Sequence, residues 1–142
     1  MLENKQQGTT ASNAIAGSQQ LAGYRILVAE DNTINQLVVG KFLTLMGVQY
    51  ELASNGQLAL DCLEKQPFDA VLMDISMPVM DGLEATRQIR LNPQWQNLPV
   101  IAFSAGITDD ERKACEAVGM TDFISKPINP EVFVSTLSRW LS

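Results

Sequence analysis

Histidine is missing from this 142-residue chain. Its absence excludes a Ser-His-Asp triad, a histidine-ligated metal site and a phosphohistidine relay within the chain. Any phosphohistidine that reacts with it must belong to another domain or another protein. Cysteine is scarce as well. Cys62 and Cys115 stand far apart without metal-type spacing, and read as two reduced, mostly structural thiols of a cytoplasmic protein. Basic residues number 10 against 16 acidic ones, for a net charge of −6, which argues against non-specific nucleic-acid binding. No apolar run approaches the ~20 residues of a membrane span, and nothing resembles a signal peptide. No membrane contact is therefore expected of this domain, whatever anchors a parent protein.

What is present suffices for one domain. With 46% hydrophobic and 18% charged residues, a chain of this length buries enough surface to fold without disulfides. Residues 1–22 are rich in Gln, Ser, Thr, Ala and Gly with no sustained period, and read as a flexible leader or inter-domain linker. From residue 23 to 142 the pattern is regular. Short β-branched or aliphatic runs over about 24–30, 48–53, 69–74, 99–104 and 122–125 alternate with helix-period segments. The first helix is expected over about 34–46, with Ile34, Leu37, Val38, Phe42, Leu45 and Met46 on its apolar side. The fourth opens on a capping box, Thr108 with Glu111, and the fifth on Asn129-Pro130. Residues 92–98, with Trp95, read as a surface loop. The pattern predicts an α/β doubly wound (βα)5 domain of flavodoxin-like form. Its five-stranded parallel sheet should run in the order 2-1-3-4-5.

In such sheets the carboxyl ends of the strands form the ligand crevice. Glu30-Asp31, Asp74, Ser104 and Lys126 fall at or beside those ends. Each has a plain structural reading beside a chemical one. Glu30-Asp31 suits an ion or a solvated turn and helix cap; Asp74 suits a nucleophile or an acid holding loop amides. Ser104 suits a donor to a phosphoryl oxygen or a turn former, and Lys126 a partner for carboxylate or phosphate. Together they form a cluster of three acids that needs a hard cation to neutralise it.

These residues also lie in recognisable motifs: Met73-Asp74-Ile75-Ser76-Met77-Pro78-Val79-Met80-Asp81-Gly82, Val28-Ala29-Glu30-Asp31-Asn32 and Ser125-Lys126-Pro127. On them, the chain from Arg25 to Leu141 resembles the receiver domain of two-component response regulators, the CheY-like fold. The stretch from Glu30 to Gln36 is most similar to the C-terminal receivers of hybrid sensor histidine kinases, a stand-alone regulator being the alternative. The resemblance implies that Asp74 is the phosphoacceptor. It also implies that Glu30, Asp31, Asp74 and the Ser76 backbone carbonyl hold Mg²⁺, for which Mn²⁺ can substitute. Lys126 would contact the phosphoryl group and Ser104 would be the switch hydroxyl. Phe123 would be the switch aromatic, or plain core. Serine stands where threonine is commoner, and Phe123 lacks the hydroxyl of the commoner tyrosine, so it can signal only by burial or exposure.

The expected function is that of a phosphoacceptor in a phosphorelay. A histidine kinase or histidine phosphotransfer domain would donate to Asp74, and the surface would switch. The isolated chain would not be an enzyme beyond Mg²⁺-dependent self-phosphorylation and autodephosphorylation. Two other classes fit less well. An aspartate-nucleophile phosphohydrolase of the haloacid-dehalogenase type wants a second Asp where Ser76 stands. A flavodoxin-like flavin binder wants a hydroxyl-rich phosphate loop where Glu30 and Asp31 stand.

Overall fold

A computed structural model describes residues 21–141. Strands β1 (Arg25–Ala29), β2 (Gln49–Ala53), β3 (Ala70–Met73), β4 (Val100–Ser104) and β5 (Asp122–Ser125) alternate with five helices. These are α1 (Thr33–Leu45), α2 (Gly56–Lys65), α3 (Gly82–Leu91), α4 (Asp109–Val118) and α5 (Pro130–Leu141). All pairings are parallel, in the order β2-β1-β3-β4-β5. The apolar runs of β1, β3 and β4 become central strands covered on both faces, whereas the edge strands β2 and β5 are only partly buried. Ile26, Val28, Leu72, Ile101, Phe103 and Ile124 pack with Val39 and Leu43 of α1 and Phe133 and Leu137 of α5. The alternate residues Leu27, Val71, Met73, Val100 and Ala102 pack with Ala59 and Leu63 of α2, Ala85 and Ile89 of α3, and Cys115 of α4. Both cysteines are free.

Two local readings need correction. Ile34, Leu37 and Val38 do not face the core; they are 70%, 69% and 42% exposed. Val39, Gly40, Leu43 and Met46 are buried instead. Gly40 lies on the buried face, where a Cβ would run into the end of the Tyr50 ring. Residues 92–98 are not simply loop. Pro93–Trp95 forms a 3₁₀ turn capped by Asn92, and the part-buried Arg90 donates to the carbonyls of Trp95 and Gly119. That guanidinium ties the end of α3 to the end of α4. Leu21, the first described residue, is fully buried with the α1–α5 core. Residues 1–20 of the expected leader lie outside the described residues.

Among the described residues no helix is long and apolar enough to cross a membrane.

Candidate functional site

The sheet order reverses between β1 and β3, and the acidic cluster sits at their carboxyl ends. The Asp74 N–H donates to the Ala29 carbonyl at 2.9 Å, and the Glu30 N–H to the Ala53 carbonyl at 2.9 Å, so the ladder itself carries both acids to the sheet edge. The loop after Asp74 is shaped by contacts too close for a side chain. A Cβ on Gly82 would lie 2.1 Å from the Asp74 carbonyl oxygen, and the Gly82 N–H donates to Ile75. Glycine is therefore required for α3 to start against the phosphoacceptor candidate. Asp81 caps that helix by accepting from the Glu84 N–H. Between them Val79 holds φ at 68° and is 84% exposed, a left-handed conformation costly for a β-branched residue.

One carboxylate oxygen from each of Glu30, Asp31 and Asp74 lies within 4.8 Å of the others. Glu30 is fully buried and Asp74 nearly so, while Asp31 is exposed. Lys126 reaches in from the end of β5. Its Nζ lies 2.5 Å from Glu30 Oε1 and 3.2 Å from Asp74 Oδ2, with its side chain 15% exposed. It also lies 4.9 Å from the centre of the Phe103 ring. The peptide bond from Lys126 to Pro127 is cis, which nothing in the sequence indicated. Glu30 Oε2 accepts from the Asn32 N–H and Asp74 Oδ1 from the Ser76 N–H.

Burial raises the Asp74 pKa, the Glu30 charge raises it further, and Lys126 only partly opposes them. The cleft thus holds three acids against one ammonium. Its all-oxygen donors and surplus negative charge fit a hard divalent cation. The capping alternative for Asp31 also loses ground. Asn32, not Asp31, caps α1 by accepting from the Asn35 N–H, and Asp31 makes no hydrogen bond among the described residues.

Register brings Ser104 to the same end of the sheet as this cluster, while Phe123 lies two residues short of that end, opposite Ala102. Ser104 pairs with Ser125, and its carbonyl accepts from the Lys126 N–H at 3.0 Å. Its hydroxyl donates only to Ala105, at 3.5 Å, so it does not touch Asp74 here. The half-buried Phe123 ring packs on the α2–α4 side, with the Arg112 guanidinium 4.2 Å from its centre. Sequence reasoning missed Arg112, which no motif marks. It also gave no role to Gln36, whose amide donates to the Glu30 carbonyl.

Residues 26–138 match the family described as response regulator receiver domain. The chain is 39% identical over 120 residues to hybrid signal transduction histidine kinase K of Dictyostelium discoideum, covering 80% of this chain and 10% of that protein. It thus spans about a tenth of the length of that relative. Among solved structures, it resembles the receiver domain of sensor histidine kinase PA1611 from Pseudomonas aeruginosa PAO1, which has a magnesium ion coordinated in its active-site cleft. The identity is 38% and the TM-score 0.79, over 84% of this chain and 98% of that one. The Saccharomyces cerevisiae Ssk1 receiver, solved with the histidine phosphotransfer protein Ypd1, matches at 27% identity and TM-score 0.77, over 83% and 88% of the two chains.

Proposed function

The chain belongs to the response regulator receiver domain family, and from that premise we propose that it accepts a phosphoryl group on Asp74 from a phosphohistidine donor, with Mg²⁺ in the cleft. The observation that carries this is the convergence of Glu30, Asp31, Asp74 and Lys126 at one switch point. Asp31, Asp74 and the Ser76 carbonyl would hold the ion, with Glu30 behind them. Bound there, the ion shields the negative charge of the incoming phosphoryl group. Lys126 supplies a second positive charge for the phosphoryl oxygens once Asp74 Oδ2 is engaged. The Ser76 N–H already orients Asp74 through Oδ1, leaving Oδ2 on the Lys126 side as the attacking oxygen. Incubation with Mg²⁺ and acetyl phosphate should add one phosphoryl mass to the intact chain. No adduct at saturating donor and metal would reject the reading.

The metal itself is tested by stability. At ten times its dissociation constant, Mg²⁺ should stabilise the domain by about 1.4 kcal/mol, and Asp31→Asn should lose most of that gain. Equal melting temperatures for both proteins with and without Mg²⁺ would exclude the site.

The donor domain needs a place to dock. Ile34, Leu37 and Val38 form an exposed apolar row on α1, the helix that begins just after Asp31. A phosphohistidine domain seated on this row holds its histidine over Asp74. Such a partner is the kind seen with the Ssk1 receiver. Leu37→Glu should slow transfer from a cognate phosphotransfer domain at least tenfold yet leave labelling by acetyl phosphate unchanged. Equal slowing with both donors would place the defect in the chemistry instead.

Output would run through Ser104 and Phe123. Once Asp74 carries phosphate, the Ser104 hydroxyl exchanges its long bond to Ala105 for a phosphoryl oxygen, and the Phe123 ring follows inward from beneath Arg112. Two packings of the β4–α5 face are thereby biased. Ser104→Ala should still be phosphorylated but should lose most of the amide NMR shifts in residues 104–128. A full wild-type shift pattern would return Phe123 to a packing role.

A further inference from the structure

We propose that Gln36 is the positioning residue of the acidic cleft: by holding the peptide between Glu30 and Asp31, it fixes the backbone from which the Asp31 carboxylate reaches the cleft and so sets the affinity for a divalent cation. The inference rests on the metal-dependent phosphoacceptor reading above and deepens it.

Glu30 is immobilised through every polar group it has. Its N–H donates to Ala53, Oε1 faces Lys126, Oε2 accepts from Asn32, and its carbonyl accepts from Gln36 Nε2 at 2.6 Å. Asp31 has none of these supports; its exposed side chain makes no hydrogen bond among the described residues. Its χ1 and χ2 are free to turn, so what the fold supplies is the backbone position from which the carboxylate reaches the cleft. The peptide unit is planar, so fixing the Glu30 carbonyl oxygen fixes the whole plane that leads into Asp31. Only two soft dihedrals, ψ of residue 30 and φ of residue 31, could turn that plane.

Gln36 is suited to this task in two ways. It sits six residues after Glu30, and its own N–H is engaged by the Asn32 carbonyl in the first turn of α1. The helix therefore anchors the amide that anchors the turn. An amide also donates without bringing positive charge to the cleft, whereas a lysine there would compete with the cation it helps to place. Groups that orient a metal ligand typically alter affinity by 10–100-fold when removed.

Gln36→Met removes the donor at nearly constant volume, and Gln36→Asn keeps the amide but is one methylene too short to reach. Both should raise the Mg²⁺ dissociation constant about tenfold in an amide NMR titration that follows residues 30–32 and 74–76. In acetyl phosphate labelling the half-saturating Mg²⁺ concentration should rise by the same factor, while the rate at saturating Mg²⁺ stays at the wild-type level. A dissociation constant within twofold of wild type in both variants overturns the inference and leaves the phosphoacceptor reading intact. So does a lowered plateau with unchanged half-saturation, which marks a structural defect. If the wild type itself takes neither Mg²⁺ nor phosphate, the underlying reading falls and this one with it.

Discussion

Asp74→Asn will take up no phosphoryl group from acetyl phosphate, and without Mg²⁺ it will melt higher than the wild type. Both results follow from one carboxylate. The amide is not the required nucleophile, so the mass adduct disappears entirely. The same substitution removes a charge that the fold holds at a cost. Asp74 is 5% exposed, and burial, then the Glu30 charge, raise its pKa above the ordinary 3.8 despite Lys126. Its carboxylate is therefore disfavoured in the folded state relative to the unfolded chain. Between the unfolded value and the raised folded value the native state binds more protons than the unfolded state. Stability from this group consequently falls as pH rises through that window. Above that window the full cost is present, and the neutral amide avoids it. A gain on the order of 1 kcal/mol, or about 4 °C, is expected in a thermal melt with chelator. With Mg²⁺ the wild type should recover that difference and the variant should not. A variant that melts lower than wild type under chelator would show that Asp74 is a structural acid whose hydrogen bonds outweigh its repulsion.

Lys126→Met is expected to do the reverse, and by more. The ammonium is the one cation bonded to Glu30 and Asp74 among the described residues. Removing it leaves Glu30, fully buried, as a carboxylate supported only by the Asn32 N–H. Breaking a buried pair from one side typically costs 3–5 kcal/mol. Because Asp31 opens the cleft to water, a loss of about 3 kcal/mol, or roughly 10 °C, is the expected size. Two further measurements identify the cause. Mg²⁺ should return part of the loss, since a second cation then faces the same acids. Glu30→Gln combined with Lys126→Met should be more stable than Lys126→Met alone, because the orphaned charge has gone. If the double variant is no more stable than the single one, Lys126 acts through its packing against Phe103 rather than through charge.

Much of this was legible in the chain. Alternating strand-like and helix-period segments pointed to a parallel sheet, and β1, β3 and β4 read as continuous apolar runs because they are covered on both faces. Right-handed crossovers then allowed few strand orders. The acidic pair, Asp74 and Lys126 were visible because each interrupts or ends such a run, where a charge is costly unless it has a partner. Periodicity alone misjudged α1, since Ile34, Leu37 and Val38 are as apolar as the residues that are buried. The close approach of Gly40 to Tyr50, which joins α1 to β2, has no local signature. The same holds for Arg90 across the ends of α3 and α4, and for Arg112 over Phe123. The cap reading of the Glu30-Asp31 turn gave way once the backbone set Asn32 as the cap and left Asp31 without a hydrogen bond among the described residues. The sequence by itself determined the topology and which polar residues fall at the strand ends, because burial periodicity and strand ends are local patterns. Only the tertiary structure decided which oxygen faces Lys126, which face of α1 meets solvent, and that Gln36 holds the turn. Those outcomes depend on distances between segments far apart in the chain, set by how the helices seat on the sheet.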